Sequence, residues 1–136
     1  MAENGFVYLE LKEVQELCFW VAQGLFETKD NLMPTFVYIN QGIMESALES
    51  IKMPYYPTLF EKAGTLGFQI IEGHPLIDGN KRVGITTTLI FLRINGFNVL
   101  TTQKELLEVA LKLAKKEMSK QQFIEWLKKH SKKRSQ

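Results

Sequence analysis

Between two apolar runs the chain places His74-Pro75-Leu76-Ile77-Asp78-Gly79-Asn80-Lys81-Arg82, an imidazole, a carboxylate, an amide and two cations within nine residues. Folding alone does not call for such a density of polar chemistry. His74 is the one side chain here whose unperturbed pKa lies near neutrality, which suits a general base. Asp78 sets a carboxylate one residue before Gly79, where it could hold a hard cation such as Mg²⁺ that also touches phosphates. Gly79 can take positive φ at no steric cost, so the backbone N–H groups of Gly79, Asn80 and Lys81 can curl into an anion nest. Arg82 adds a planar fork of donors matched to phosphate oxygens. In order, the loop reads as base, metal ligand and phosphate cradle.

Each residue also has an ordinary structural reading. A histidine before a proline can end a helix and solvate its last carbonyls. Asp78-Gly79 can be only a turn, and Lys81-Arg82 only a solvated charge pair. Taken together these readings weaken on electrostatics, because two cations in a helix's first turn oppose the macrodipole. A bound anion would offset that misfit.

The flanking segments must position the loop. Leu59 to Gly73 has helical apolar spacing, and Val83 to Ile94 is apolar nearly all round, with Asn95-Gly96 as a stop signal. The loop thus delivers its last residues into a helix N-terminus, whose unpaired N–H groups and partial positive charge favour phosphate. Earlier, Leu11, Val14, Leu17, Cys18, Val21 and Leu25 predict a first helix, followed by a connecting loop through Tyr38. Asn40 can cap a second helix, whose apolar face is Ile43, Met44, Ala47, Leu48 and Ile51. Pro57 suits the first turn of the third. Thr102 with Glu105, and Ser119 with Gln122, form capping boxes for a fifth and a sixth. Thr86, Thr87 and Thr88 can bond back to the preceding turn of the fourth helix, and Phe97 to Leu100 suits a short extended piece. The expected architecture is all-α, about six helices around a central fourth helix that the active-site loop precedes.

With 136 residues, 45% of them hydrophobic and 24% charged, the chain fits one domain with a real core. That domain is read as residues 1–130, and 131–136 as a basic, solvated, frayed end. The net charge of +2 does not by itself call for nucleic acid. The single cysteine, Cys18, cannot form an internal disulfide, and it reads as a small core residue. No apolar run is long enough for a membrane span, so the expectation is a cytoplasmic protein with no membrane partner.

The stretch His74-Pro75-x-x-Asp78-Gly79-Asn80-Lys81-Arg82 resembles the central motif of the Fic/Doc superfamily, and in particular of its death-on-curing (Doc) toxin branch. The resemblance extends to Glu45-Ser46-Ala47-Leu48, to Tyr56-Pro57-Thr58-Leu59-Phe60-Glu61-Lys62-Ala63 and to Phe91-Leu92-Arg93-Ile94-Asn95-Gly96-Phe97. It implies a Fic/Doc-like helical bundle and transfer from ATP, with Mg²⁺, to a hydroxyl of a target protein. His74, Asp78 and Arg82 would be catalytic, Asp78 the metal ligand, and Gly79, Asn80, Lys81 and Arg82 the nucleotide and phosphate site.

Most of the superfamily transfers AMP, and the Doc branch transfers a phosphoryl group to a translation elongation factor. The AMP-transferring pattern carries Gly where this chain has Lys81 and a second Arg where it has Ile85; both differences point to Doc. An AMP transferase and an inactive binding module on the same fold are the alternatives. The inhibitory Ser/Thr-x-x-x-Glu-Gly/Asn helix of many Fic proteins has no counterpart in the sequence, so a separate antitoxin is the expected inhibitor. Three departures stand out: Leu76 replaces the usual Phe, which implies a looser loop; Gly84 replaces a helix former; and Lys52 to Tyr56 is short for the flap that docks the target.

Overall fold

The computed structural model describes residues 2, 3, 5–18, 40–76 and 79–134, the side chains of 2, 3, 17 and 18 excepted. Six helices run through these residues. α1 (Leu11–Glu13) continues into a π-helical turn, Val14–Cys18. α2 is Gln41–Ser50, α3 Leu59–Gly73, α4 Asn80–Ile94, α5 Gln103–Ala114 and α6 Lys120–His130. Two short antiparallel ribbons complete the fold: β1 (Ala2–Glu3) with β2 (Phe6–Val7), and β3 (Phe97–Val99) with β4 (Ser131–Lys133). The expected all-α bundle around the fourth helix is what forms. The far half of the first helix, with Val21 and Leu25, lies outside the described residues, as do the side chains of Leu17 and Cys18. Among the described residues no helix is long and apolar enough to cross a membrane.

α4 is the axis because most of its length is buried, including Val83, Ile85, Phe91 and Leu92. It crosses α3 at two glycines. A Cβ on Gly84 would stand 2.7 Å from Ile71 Cγ1 and 3.2 Å from the Gly67 carbonyl oxygen. A Cβ on Gly67 would stand 3.2 Å from the Gly84 carbonyl oxygen and would run into Thr88 Oγ1. Close packing therefore requires Gly84, and this offsets its poor helix propensity. Thr88 bonds back as its type suggests, its hydroxyl donating to Gly84 O at 3.0 Å and to Ala63 O at 3.1 Å.

Helix starts follow their caps. Asn40 Oδ1 accepts the Gly42 N–H, Thr58 the Glu61 N–H, Thr102 the Glu105 N–H and Ser119 the Gln122 N–H. Two expectations change in detail. Thr58 is the N-cap of α3, which puts Pro57 just before the cap instead of in the first turn. The Thr102 box is half formed, because the Glu105 carboxylate takes the Thr101 hydroxyl at 2.6 Å.

The basic end is a larger departure. Expected as a frayed tail, Ser131–Lys133 instead pair with β3, Phe97 opposite Lys133 and Val99 opposite Ser131. Leu100 N–H donates to His130 O at 2.7 Å, and Arg134 N–H to Gly96 O at 2.8 Å. Once α4 has turned at Gly96, β3 has unpaired backbone groups, and the chain end satisfies them. His130 is the last residue of α6, stacked on Trp126, and does not belong to a tail.

Candidate active site

The motif loop joins α3, which is capped by His74, to α4, which is capped by Gly79. The sequence suggests that Gly73 ends α3. The helix includes Gly73, and its left-handed C-terminal residue is His74 itself, at φ 49° and ψ 56°. Gly73 serves another purpose: a Cβ there would stand 2.7 Å from Ile43 Cγ2 on α2. A left-handed non-glycine residue costs about 1–2 kcal/mol, although His is among the residues that tolerate it better. Such strain is characteristic of functional positions. The His74 side chain is exposed, and its backbone N–H still donates to Ile70 O at 3.2 Å.

Leu76 is 1% exposed and belongs to the core. A looser loop was the expectation for Leu in place of Phe, but two further bonds also pin this residue. Leu76 N–H donates to Asn80 Oδ1, and Asn80 Nδ2 donates to Leu76 O, both at 3.0 Å. The Asn80 amide thus mimics a strand edge and closes the loop on itself. Asn95 does the same at the other end of α4, exchanging two 2.8 Å bonds with the backbone of Val7. A third tie comes from α2, where Asn40 N–H donates to Pro75 O at 3.2 Å. Sequence reasoning recognised Asn40 as a cap and Asn80 as part of the cradle, but it missed both loop ties. Their only signal is an asparagine's ability to pair with backbone.

Gly79 is the N-cap of α4 at φ 84°, as the nest requires, and brings no side chain of its own to the helix N-terminus. A Cβ there would stand 3.0 Å from Arg82 Nη2, so the guanidinium folds back over the glycine. Arg82 is half-buried and Lys81 exposed. The first intrahelical bond runs from Val83 N–H to Gly79 O at 2.9 Å. The N–H groups of Asn80, Lys81 and Arg82 precede it and have no partner within the helix. Donors, macrodipole and guanidinium together fit a phosphate group. Asp78, the expected Mg²⁺ ligand, lies outside the described residues. Among the described residues no three His, Cys, Asp or Glu side chains gather as a metal site. Mg²⁺ bound with a nucleotide does not need such a cage, since one or two carboxylates, phosphates and water suffice.

A histidine at a helix end, a tied loop and a positive-φ glycine at a helix N-terminus thus occur in the order the motif sets out, and the model of the Fic/DOC family matches residues 8–92. The chain belongs to the Fic/Doc family. No curated protein matches it. Fic/Doc proteins generally transfer nucleotide-derived groups to proteins and use ATP, often with Mg²⁺. Lys52 to Tyr56, expected where family members carry the target-docking flap, form a run of tight turns at the start of α3. α3 has 15 residues, so His74 lies about 22 Å away along that helix.

Proposed function

We propose that this Fic/Doc protein is a cytoplasmic toxin of the Doc branch, transferring the γ-phosphoryl group of ATP to a hydroxyl of a target protein, a translation elongation factor. The observation that supports it most is the pairing of an exposed His74, held at a strained helix end, with the phosphate seat formed by Gly79 and Arg82. His74 takes the proton of the target hydroxyl as its oxygen attacks the γ-phosphorus. The bond from that phosphorus to the β-γ bridging oxygen breaks, and ADP leaves. Arg82, Lys81 and the N-terminus of α4 stabilise the phosphate charge, and Asn80 holds the loop in register. Asp78 would hold Mg²⁺, which would supply neutralisation of the phosphate charge. Catalysis of this kind is chiefly positioning and charge neutralisation.

The choice of phosphoryl over AMP transfer rests on Lys81 and Ile85. Lys81 adds a cation at the nest, and Ile85, 1% exposed, turns into the core and offers no second guanidinium to distal phosphates. The burial of Leu76 favours an active enzyme over an inactive binding module. The partner expected to restrain it is an antitoxin with a segment that folds on binding. Incubation of the protein and a translating lysate with ATP labelled on the α or on the γ phosphate tests the reading. Label passes to protein from the γ position only; transfer from the α position would establish AMP transfer instead.

A further inference from the structure

The net charge of +2 conceals how it is distributed. Arg93, Lys128, Lys129, Lys132, Lys133 and Arg134 are six of the 17 Lys and Arg residues, and the other 11 stand against 15 Asp and Glu. Neither stretch of sequence that builds the β3–β4 ribbon contributes an acid, because residues 79–104 and 126–136 contain no Asp or Glu. Positive charge is therefore concentrated at and beside the ribbon of a chain that is otherwise net negative. Such asymmetry points to a polyanionic partner.

Strand pairing decides where these cations stand. Phe97 and Val99 pack against the core, with the Phe97 ring 5.2 Å from that of Phe60. Side chains alternate between faces along a strand and opposed residues share a face, so Asn98, Lys132 and Arg134 belong to the outer one. Arg93 joins them from the last turn of α4, donating from Nη1 to Asn98 Oδ1 at 3.2 Å, while Arg134 Nη1 donates to Arg93 O at 3.1 Å. Each guanidinium is thus held by one bond and keeps further donors for a ligand. Glu125 and Glu105 are engaged before the ribbon begins, with Lys128 at 3.5 Å and with His130 Nε2 at 3.9 Å. Among the described residues no carboxylate pairs with Arg93, Lys132 or Arg134, and all three are exposed.

We infer that the outer face of the β3–β4 ribbon binds the phosphodiester backbone of a nucleic acid. Charge complementarity selects a polyanion, and two planar guanidinium forks beside a lysine suit phosphate oxygens. A protein partner would need an apolar core to its interface. This face offers only Leu100, exposed at its edge, whereas nucleic-acid interfaces are polar and strongly basic. Contacts of this kind go to the backbone and read no base, so binding is independent of sequence and falls steeply with salt. The surface is separate from the phosphate seat of the motif, because Arg93 lies about 16 Å along α4 from Arg82. The inference therefore stands apart from the transfer reaction proposed above.

The test measures binding of the full-length protein to a short labelled duplex DNA, to a hairpin RNA with the same number of phosphates and to poly-glutamate of the same charge. Wild type is compared with Lys132→Gln/Arg134→Gln and with Lys112→Gln/Lys115→Gln, which removes equal charge from exposed positions at the end of α5; circular dichroism checks each fold. Three phosphate contacts give wild type a slope of about −3 in log K against log salt on duplex DNA between about 50 and 200 mM. The ribbon variant should fall to a slope of about −1 and bind about 10²-fold more weakly at the low end of that range. The α5 variant should stay within about twofold of wild type, since charges beyond the Debye length are screened. Saturating ATP should displace neither nucleic acid, and His74→Ala should bind as wild type does. A preference for DNA or for RNA names the source of the phosphates, and either supports the inference. Equal losses in the two double variants would overturn it, as would displacement by ATP or an absence of salt-dependent binding. Poly-glutamate bound as tightly as nucleic acid would assign the face to an acidic protein and overturn it as well.

Discussion

Replacing His74 by Gly and by Ala separates the chemistry of the side chain from the strain of its backbone. The residue sits at φ 49°, in the left-handed region, as the C-cap of α3. Alanine there keeps a Cβ and bears about 1–2 kcal/mol for that conformation. Glycine avoids this term but loses about 0.5–1 kcal/mol more backbone entropy on folding. The difference leaves His74→Gly more stable than His74→Ala by roughly 1 kcal/mol, in line with the preference for glycine at helix C-termini. For a domain of this size that corresponds to about 3–4 °C in Tm, or to a shift of about 0.5 M in the urea midpoint. Both variants should fold, because the His74 side chain is exposed, and both should lose transfer by about 10²- to 10⁴-fold with the base removed. Thermal and urea unfolding with a transfer assay in parallel read both quantities. Equal stabilities would refute the claim that this loop stores backbone strain, and full activity in either variant would refute His74 as the base.

Asn80→Ala removes both bonds to Leu76 and leaves its buried N–H and C=O unmatched; the expected loss is about 2–3 kcal/mol, together with activity, and amide exchange at Leu76 should accelerate. Unchanged exchange would show that the clasp does not order the loop. Gly67→Ala drives a methyl group toward Thr88, Gly84 and Phe123 and should lower stability by about 1–3 kcal/mol; a more stable variant would mean the two helices can separate without penalty. Lys62 is 3% exposed, its Nζ donating to Ile51 O beside the rings of Phe6 and Tyr8. Burial pushes its pKa below the ordinary value of 10.5, although Glu61 opposes the shift. The unfolded state therefore binds more protons between the two values, and stability gained from this group rises with pH across that window. Wild type should gain on Lys62→Met in urea midpoint as pH rises from neutral toward 10.5, and a constant difference would contradict a depressed pKa.

The sequence by itself determined the helical segments and the order of the functional residues. Apolar spacing at 3.6 residues marks the faces of α2 to α6, and Asn40, Thr102 and Ser119 announce three helix starts because each brings a short oxygen acceptor to unpaired N–H groups. The Gly79 turn was legible for a similar local reason, since few other residues take φ 84° without strain. What only the tertiary structure decided depends on partners distant in the chain or on room available in the core. Gly84 looks like a defect in a helix until Gly67 and Ile71 stand against it. Gly73 reads only as the end of α3 until Ile43 stands against it, and the left-handed conformation falls on His74. The basic end looks solvated until β3, turned back by Gly96, presents backbone groups for it to pair with. Local signals name what a residue can do, and the packing of α2, α3 and α4 selects which of those capacities each residue uses.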